Sequence, residues 1–155
     1  MELVTFTLAG CRLALEAPRV CEVGRLQGLV VPREAVGCLL GAVNLRGTIV
    51  PVLDLRRRLC GEASLDPGRG RLVVVEVAAL GPGGLLGLAV DDVGAVAHCD
   101  GGDFVPGAVR GDEPGGPAWY RGLCALRDEA LPLLDSERLL QAGETAAIAR
   151  LRAAY

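Results

Sequence analysis

The sequence predicts an all-β protein built from two pseudo-equivalent five-stranded barrels, and three observations predict it. Short apolar runs are broken by 22 Gly and 9 Pro in 155 residues, the pattern of many short strands joined by turns. Hydrophobic residues make up 51% of the chain but aromatics only 3%, so the core must be built from Val, Leu and Ala. The third observation is an internal repeat. A chain of this length buries roughly 70% of its unfolded surface, enough for one self-sufficient core. The expected organisation is one domain over about residues 1–142, with halves near 1–70 and 71–142, and a helical tail over 143–155.

The elements follow in order. Residues 3–8 alternate, with Leu3, Thr5 and Thr7 on one face and Val4, Phe6 and Leu8 on the other. The turn Ala9-Gly10-Cys11 leads back into Leu13-Ala14-Leu15, which predicts a hairpin. Residues 20–23 predict another short strand. Residues 32–36 read as one helical turn, with Pro32 at its start and Gly37 as its stop. Strands at 40–45 and 48–53 are joined tightly at Arg46-Gly47, and Asp54 then caps a short helix to about Leu59. Residues 61–70 are a polar loop. Strands follow at 72–77 and 85–90 around the turn 81–84, and 93–99 continues extended. Residues 100–117, rich in Gly, Pro and Asp, read as loop. The last strands are 119–126 and 130–134, and a C-terminal helix is expected from Asp135-Ser136 past Leu151, with Gly143 a candidate interruption.

The repeat sets residues 41–59 against 122–140 at a constant offset of 81, with eight of nineteen positions identical. They are Gly41/Gly122, Leu45/Leu126, Arg46/Arg127, Pro51/Pro132, Leu53/Leu134, Asp54/Asp135, Arg57/Arg138 and Leu59/Leu140. A weaker match lies upstream at offset 73, pairing Leu13/Leu86, Leu15/Leu88, Val20/Val93 and Val23/Val96. Five strands per half can form a small barrel without long exposed edges. Whether the halves exchange strands stays open at this level. Positions shared by the halves read as architecture: Pro51 and Pro132 as edge residues that need no ladder donor, Asp54 and Asp135 as helix caps. Where the halves differ, function has room. Glu22 faces Ala95, Asn44 faces Ala125, and Gly47 faces Asp128.

Composition excludes several classes. Net charge is -3, and all 16 basic residues are Arg. They are scattered, so no basic stripe points to nucleic acid or an anionic membrane. The run Arg56-Arg57-Arg58 reads as a solvated helix face. Met1-Glu2 leads straight into strand-like alternation and not into a secretion signal. No apolar stretch approaches the ~20 residues of a membrane span, so a cytoplasmic protein without membrane insertion is expected. The six cysteines (Cys11, Cys21, Cys38, Cys60, Cys99 and Cys124) contain no C-x-x-C pair and read as small buried hydrophobes, not as a disulfide framework or metal site. An enzyme would need a nucleophile, a base and an orienting group. The one histidine, His98, neighbours Cys99 on a predicted strand, where the two side chains point to opposite faces. Asp91-Asp92 reads as a turn. Gly81-Pro82-Gly83-Gly84 lacks the Lys of a phosphate loop. No cofactor or metal is expected, and neither is catalysis.

The string Val43-Asn44-Leu45-Arg46-Gly47-Thr48-Ile49-Val50-Pro51-Val52-Leu53-Asp54-Leu55 closely resembles the hallmark of the CheW-like family. Val20-Cys21-Glu22-Val23, Gly87-Leu88-Ala89-Val90-Asp91-Asp92-Val93, Tyr120-Arg121-Gly122 and Leu133-Leu134-Asp135 resemble its other signatures, in the right order. The resemblance runs from about residue 3 to 140. It implies a fold of two SH3-like barrels. It also implies a non-catalytic adaptor that couples methyl-accepting chemoreceptors, at their cytoplasmic tip, to the regulatory domain of the CheA-type histidine kinase. By the same resemblance, Glu22 and Arg46 match the family's motif Glu and Arg, and Val20, Asn44 and Gly47 match neighbouring positions, so these five residues are the expected partner-binding set. Departures are the short loop 61–70, the acidic Gly-rich loop 100–117, and the uncovered segment 144–155. They leave open a divergent scaffold that binds only one of receptor or kinase. The competing class is a small barrel that binds a ligand.

The residues that carry the resemblance also have a physical reading. Gly47 suits a tight turn at positive φ, which leaves Arg46 at the barrel rim. Its guanidinium can pair bidentately with a carboxylate, and Glu22 is the expected partner. Asn44 reads as a turn hydrogen-bonder. Val20, Val23 and Leu45 read as core or as the wall of an apolar groove.

Overall fold

The computed structural model describes residues 1–34, 36–61, 69–107 and 119–154. The chain is mostly β. Strands β1 (Glu2–Leu8), β2 (Cys11–Glu16) and β3 (Val20–Arg25) come first, then β4 (Leu39–Leu45), β5 (Thr48–Asp54) and helix α1 (Leu55–Cys60). Strands β6 (Arg71–Glu76), β7 (Leu85–Val90) and β8 (Asp92–His98) follow, then β9 (Phe104–Pro106), β10 (Tyr120–Ala125), β11 (Ala130–Leu134) and helix α2 (Ala142–Ala154).

The strands form a five-stranded sheet, β3-β6-β7-β5-β4, and a six-stranded sheet, β8-β1-β2-β11-β10-β9. The two orders are the same order under the repeat, with β1, β2, β3, β4 and β5 answering to β6, β7, β8, β10 and β11. Each half therefore lends its first hairpin to the other half's sheet. Within each sheet the lent hairpin joins its host through a short parallel ladder, Val52↔Gly87 to Asp54↔Ala89 in one and Leu133↔Ala14 in the other.

Neither sheet pairs its two edge strands directly. Instead the chain leaving one edge crosses to the other. Beyond β3 the backbone reaches β4, where Val30 and Ala42 exchange hydrogen bonds of 2.8 and 3.0 Å. Beyond β8 it crosses to β10 and pairs there as β9. Both arrivals need a glycine. A Cβ on Gly41 would lie 2.2 Å from the Val30 carbonyl oxygen, and one on Gly122 would lie 2.4 Å from that of Val105. This close approach explains why Gly41 and Gly122 agree between the halves.

Three apolar cores result. One lies between the sheets and takes Phe6, Leu13 and Leu15 from one and Val73, Leu86 and Leu88 from the other. The second fills the five-stranded sheet with Leu26, Val43, Val50, Val52, Leu72 and Val74. The third fills the six-stranded sheet with Leu3, Ala14, Cys99, Cys124, Leu131 and Leu133. Strand β6 thus alternates between two cores, with no solvent face over Leu72–Val75. That is why its sequence reads as a continuous apolar run.

Several expectations need correction. Pro51 and Pro132 lie on interior strands, not edges; each stands one residue before a parallel ladder begins, so its missing N–H interrupts no pair. Asp135 caps as expected, but only a single 3₁₀ turn, Ser136–Arg138. Helix α2 starts later, and Gly143 sits in its first turn without interrupting it. Residues 33 and 34 form a bend and no helical turn, while Ala35 lies outside the described residues. So do residues 62–68 and 108–117 of the two expected loops, although residues 104–106 of the second loop form β9.

The cysteines also depart from expectation. Cys11, Cys21 and Cys60 are exposed, and Cys99 and Cys124 form a disulfide with Cα atoms 6.2 Å apart. Both lie in the third core, Cys99 just past edge strand β8 and Cys124 on interior strand β10, at a separation a disulfide spans. Cys38 is half-buried, and burial pushes its thiol pKa up against the opposing pull of Arg58.

The Arg56–Arg58 run is not a solvated face. Arg58 is buried and pairs with buried Glu144 of α2, and Arg56 pairs with Asp91. Glu144 also accepts N–H bonds from Cys38 (2.7 Å) and Gln141 (2.9 Å). The second is the backward half of a capping box. One carboxylate therefore caps α2 and anchors it to α1 and to the turn before β4. Removing it strands a buried guanidinium. Glu144→Ala is expected to lower the unfolding free energy in urea by about 3–5 kcal/mol, with Arg58→Met/Glu144→Leu recovering most of it. A single-variant loss below about 1 kcal/mol would mean the pair is effectively solvated.

His98 ends β8 between two carboxylates, 2.5 Å from Glu2 and 3.0 Å from Asp100. The bond to Glu2, then that to Asp100, raises its pKa. A raised folded pKa gives stability that is complete below the unfolded value of about 6.5 and is lost as pH rises through the folded value. The wild-type melting temperature is expected to fall slightly from about pH 6 to pH 8, and His98→Gln to flatten that slope; equal slopes would exclude His98 as its source.

Candidate functional site

The β4–β5 hairpin turns on two residues, Arg46 and Gly47, both at positive φ (50° and 87°). This is the two-residue turn whose twist matches the flanking strands. Gly47 adopts it freely. Arg46 does not, since a left-handed non-glycine residue costs about 1 kcal/mol. Asn44 offsets part of that, because its Oδ1 accepts the Gly47 N–H at 2.8 Å. The backbone thereby projects the Arg46 side chain away from the hairpin tip.

The guanidinium meets Glu22 of β3 with Nη1–Oε1 at 3.1 Å and Nη2–Oε2 at 2.7 Å. Strands β3 and β4 are opposite edges of the five-stranded sheet, so this fork spans the sheet's open side. The Arg46 side chain stays 77% exposed and that of Glu22 31%. At that exposure the pair stabilises the fold by about 0–1 kcal/mol. Its effect is orientation: a left-handed backbone and a bidentate partner hold one cation in a fixed, wet position. The repeat-equivalent turn carries Arg127 and Asp128 with Ala95 opposite, so the second sheet lacks the carboxylate and the fork.

Of the expected set, Glu22, Asn44, Arg46 and Gly47 come together. Val20 does not join them; it is half-buried against the core between the sheets. Val23 is 43% exposed on the same strand, and Leu45 packs on the second core. Beside the turn runs a groove of about 390 Å³ between β4–β5 and α2, lined by Val30, Pro32, Ile49, Ala147 and Leu151 and edged by Asn44. Sequence reasoning missed this groove, because α2 and the crossing segment at Val30 supply its walls from distant parts of the chain. The signal within residues 29–32 is faint: Val30 and Val31 are adjacent large apolar residues on an exposed stretch, at 63% and 66% exposed.

His98 and Cys99 lie on opposite sides of their strand end, one exposed and one buried in the disulfide, so they form no dyad. No helix of the described residues is long and apolar enough to cross a membrane.

Two interlocked sheets carry a pre-oriented rim cation and an adjoining apolar groove, and comparison with known proteins gives the class. The CheW-like domain family model matches residues 2–144, and the chain belongs to that family, the non-catalytic scaffold adaptors of chemotaxis coupling. Protein FrzA of Myxococcus xanthus is 30% identical over 151 residues, covering 96% of this chain and 91% of FrzA. The crystal structure of the scaffolding protein TtCheW from Thermoanaerobacter tengcongensis superposes with a TM-score of 0.78 at 26% identity, covering 91% of this chain and 92% of that one. The implied partners are chemoreceptors and the kinase CheA.

The turn geometry separates stability from binding. Arg46→Asn installs the Asn-Gly pair that this turn prefers and removes only an exposed ion pair. Its unfolding free energy is expected within about 1 kcal/mol of wild type. A loss above about 2 kcal/mol would make the Arg46–Glu22 fork a structural clamp and not an exposed anchor.

Proposed function

We propose that this adaptor works on the cytoplasmic side, joining the cytoplasmic tip of a chemoreceptor to the regulatory domain of a CheA-type kinase. In this reading the rim of the five-stranded sheet is its docking surface. Arg46 is the polar anchor, taking a carboxylate of the partner. Glu22 orients it, Gly47 permits the turn, and Asn44 holds the turn against the groove edge. The groove beside Asn44 supplies apolar burial, and Val20 supports β3 from beneath. The observation that carries the reading is the Arg46–Glu22 fork itself, two hydrogen bonds at the rim with the Arg46 side chain 77% exposed. The left-handed backbone belongs to the two-residue turn, as at Ala9 in the β1–β2 turn, and the pair returns no more than about 1 kcal/mol to the fold. A cation held in a fixed direction for so little stability is better explained by what it meets outside the chain than by what it does within it.

The test is association of the full chain with a CheA regulatory domain and a receptor cytoplasmic fragment from the same genome, measured by calorimetry. Arg46→Glu is expected to weaken at least one association by roughly tenfold or more with an unchanged melting curve. Unchanged affinity for both partners would remove Arg46 from the docking surface. Failure of the wild-type chain to bind either would remove the coupling role itself.

A further inference from the structure

The third core holds its cysteines where the second core holds hydrocarbon. Applying the two repeat offsets, Cys99 answers to Leu26 and Cys124 to Val43. Leu26 and Val43 are both 4% exposed and share the five-stranded sheet's core. Cys99 and Cys124 are both 0% exposed and joined covalently. The fold therefore does not need a bond at this place, since its sister sheet manages with an apolar contact.

What the bond adds is a tie across the six-stranded sheet. Cys99 follows the last residue of edge strand β8, and Cys124 lies on β10, with β1, β2 and β11 between them. Cys99 is also where the chain turns away toward β9. Apart from the bond, its backbone is held by one donated hydrogen bond to the Met1 carbonyl, 2.8 Å, and by acceptance from the Met1 nitrogen, 2.9 Å. Half-buried Phe104 packs against the core that holds both sulfurs. Phe104 belongs to β9, a three-residue strand that among the described residues pairs only with β10. A short edge strand is the kind of element that opens locally without global unfolding, and its opening uncovers the bond.

We propose that Cys99 and Cys124 are a reversible thiol–disulfide site, exchanged by a dithiol of the compartment, that sets how firmly the β8–β9 corner is tied to β10. The thiolate of the dithiol attacks one cysteine sulfur, forming a mixed disulfide and releasing the other cysteine as a thiolate, which takes up a proton. The second thiol of the reductant then displaces the first cysteine. Two electrons pass to the protein, which gains two thiols, and the reductant leaves as a cyclic disulfide. The oxidised form of the same reagent class runs the sequence backward. This rests on the cytoplasmic placement proposed above: a disulfide is unusual in a reducing compartment unless it cycles, which makes exchange the natural role for this one.

The full chain is equilibrated with reduced or with cyclic oxidised dithiothreitol, then alkylated in denaturant, weighed and peptide-mapped. Of the six cysteines, six are expected to be alkylated after reduction, and only the four outside this bond after oxidation, with Cys99 crosslinked to Cys124. Reduction is expected to lower the melting temperature by roughly 6–12 °C, from the freedom returned to the unfolded chain, and to speed amide exchange over residues 99–107. Cys99→Leu/Cys124→Val, which copies the sister sheet, is expected to melt at the same temperature with and without reductant. Six alkylated cysteines after oxidation, a different crosslink, or equal melting temperatures for the two wild-type forms would overturn the proposal. These readouts need no variant. A reductant shift that persists in the double variant would overturn it as well.

Discussion

Hairpins β1–β2 and β6–β7 bury side chains on both faces, and the rest of the molecule is arranged around that constraint. One face of each fills the interior of a sheet; the other packs against its counterpart in the core between the sheets. A hairpin that stayed with its own half could still fill that half's interior. Because each is lent across, the two sheets share strands as well as a contact face. The halves cannot separate without exposing Leu and Val side chains that are each worth about 1.5–3 kcal/mol when buried. Rigidity at the rim follows, because β4, β5 and β3 are held on a sheet whose centre belongs to both halves.

On that frame, stability and function occupy different positions. The buried Arg58–Glu144 pair and the three apolar cores hold the shape. The Arg46–Glu22 fork is too exposed to add much to it. Exposure leaves the guanidinium able to exchange its partner, and the left-handed turn limits where that exchange takes place. The groove depends on the structural set, since Glu144 caps and anchors the helix that forms one wall. A change at Glu144 thus reaches the proposed docking surface through α2 without touching it.

The two sheets differ where the duplication has diverged. The five-stranded sheet keeps Glu22 opposite Arg46, while the six-stranded one has Ala95 opposite Arg127. The six-stranded sheet instead carries a disulfide in its core and strand β9 where, among the described residues, its sister has only the Val30–Ala42 bridge. One duplicated design has come to present a charged rim on one side and a covalent tie on the other.

Local information was enough to determine every strand but β9, the tight turn at Arg46-Gly47, the Asp54 cap and the duplication, because alternation, turn chemistry and capping act over a few residues. The fork between Glu22 and Arg46 was legible because the fold family and the chemistry of a guanidinium both pointed to a carboxylate. Tertiary structure alone decided the rest. The exchange of hairpins was hidden because a lent strand and a kept strand have the same two-sided apolar pattern. The interior place of Pro51 was hidden because the ladder beside it comes from β7, more than thirty residues on. Arg58 read as solvated until Glu144 arrived 86 residues later, and Cys99 and Cys124 read as separate apolar residues until sheet curvature brought them together. Periodicity records which face of an element is buried, but not which distant segment buries it, and every feature that escaped the sequence depends on that second fact.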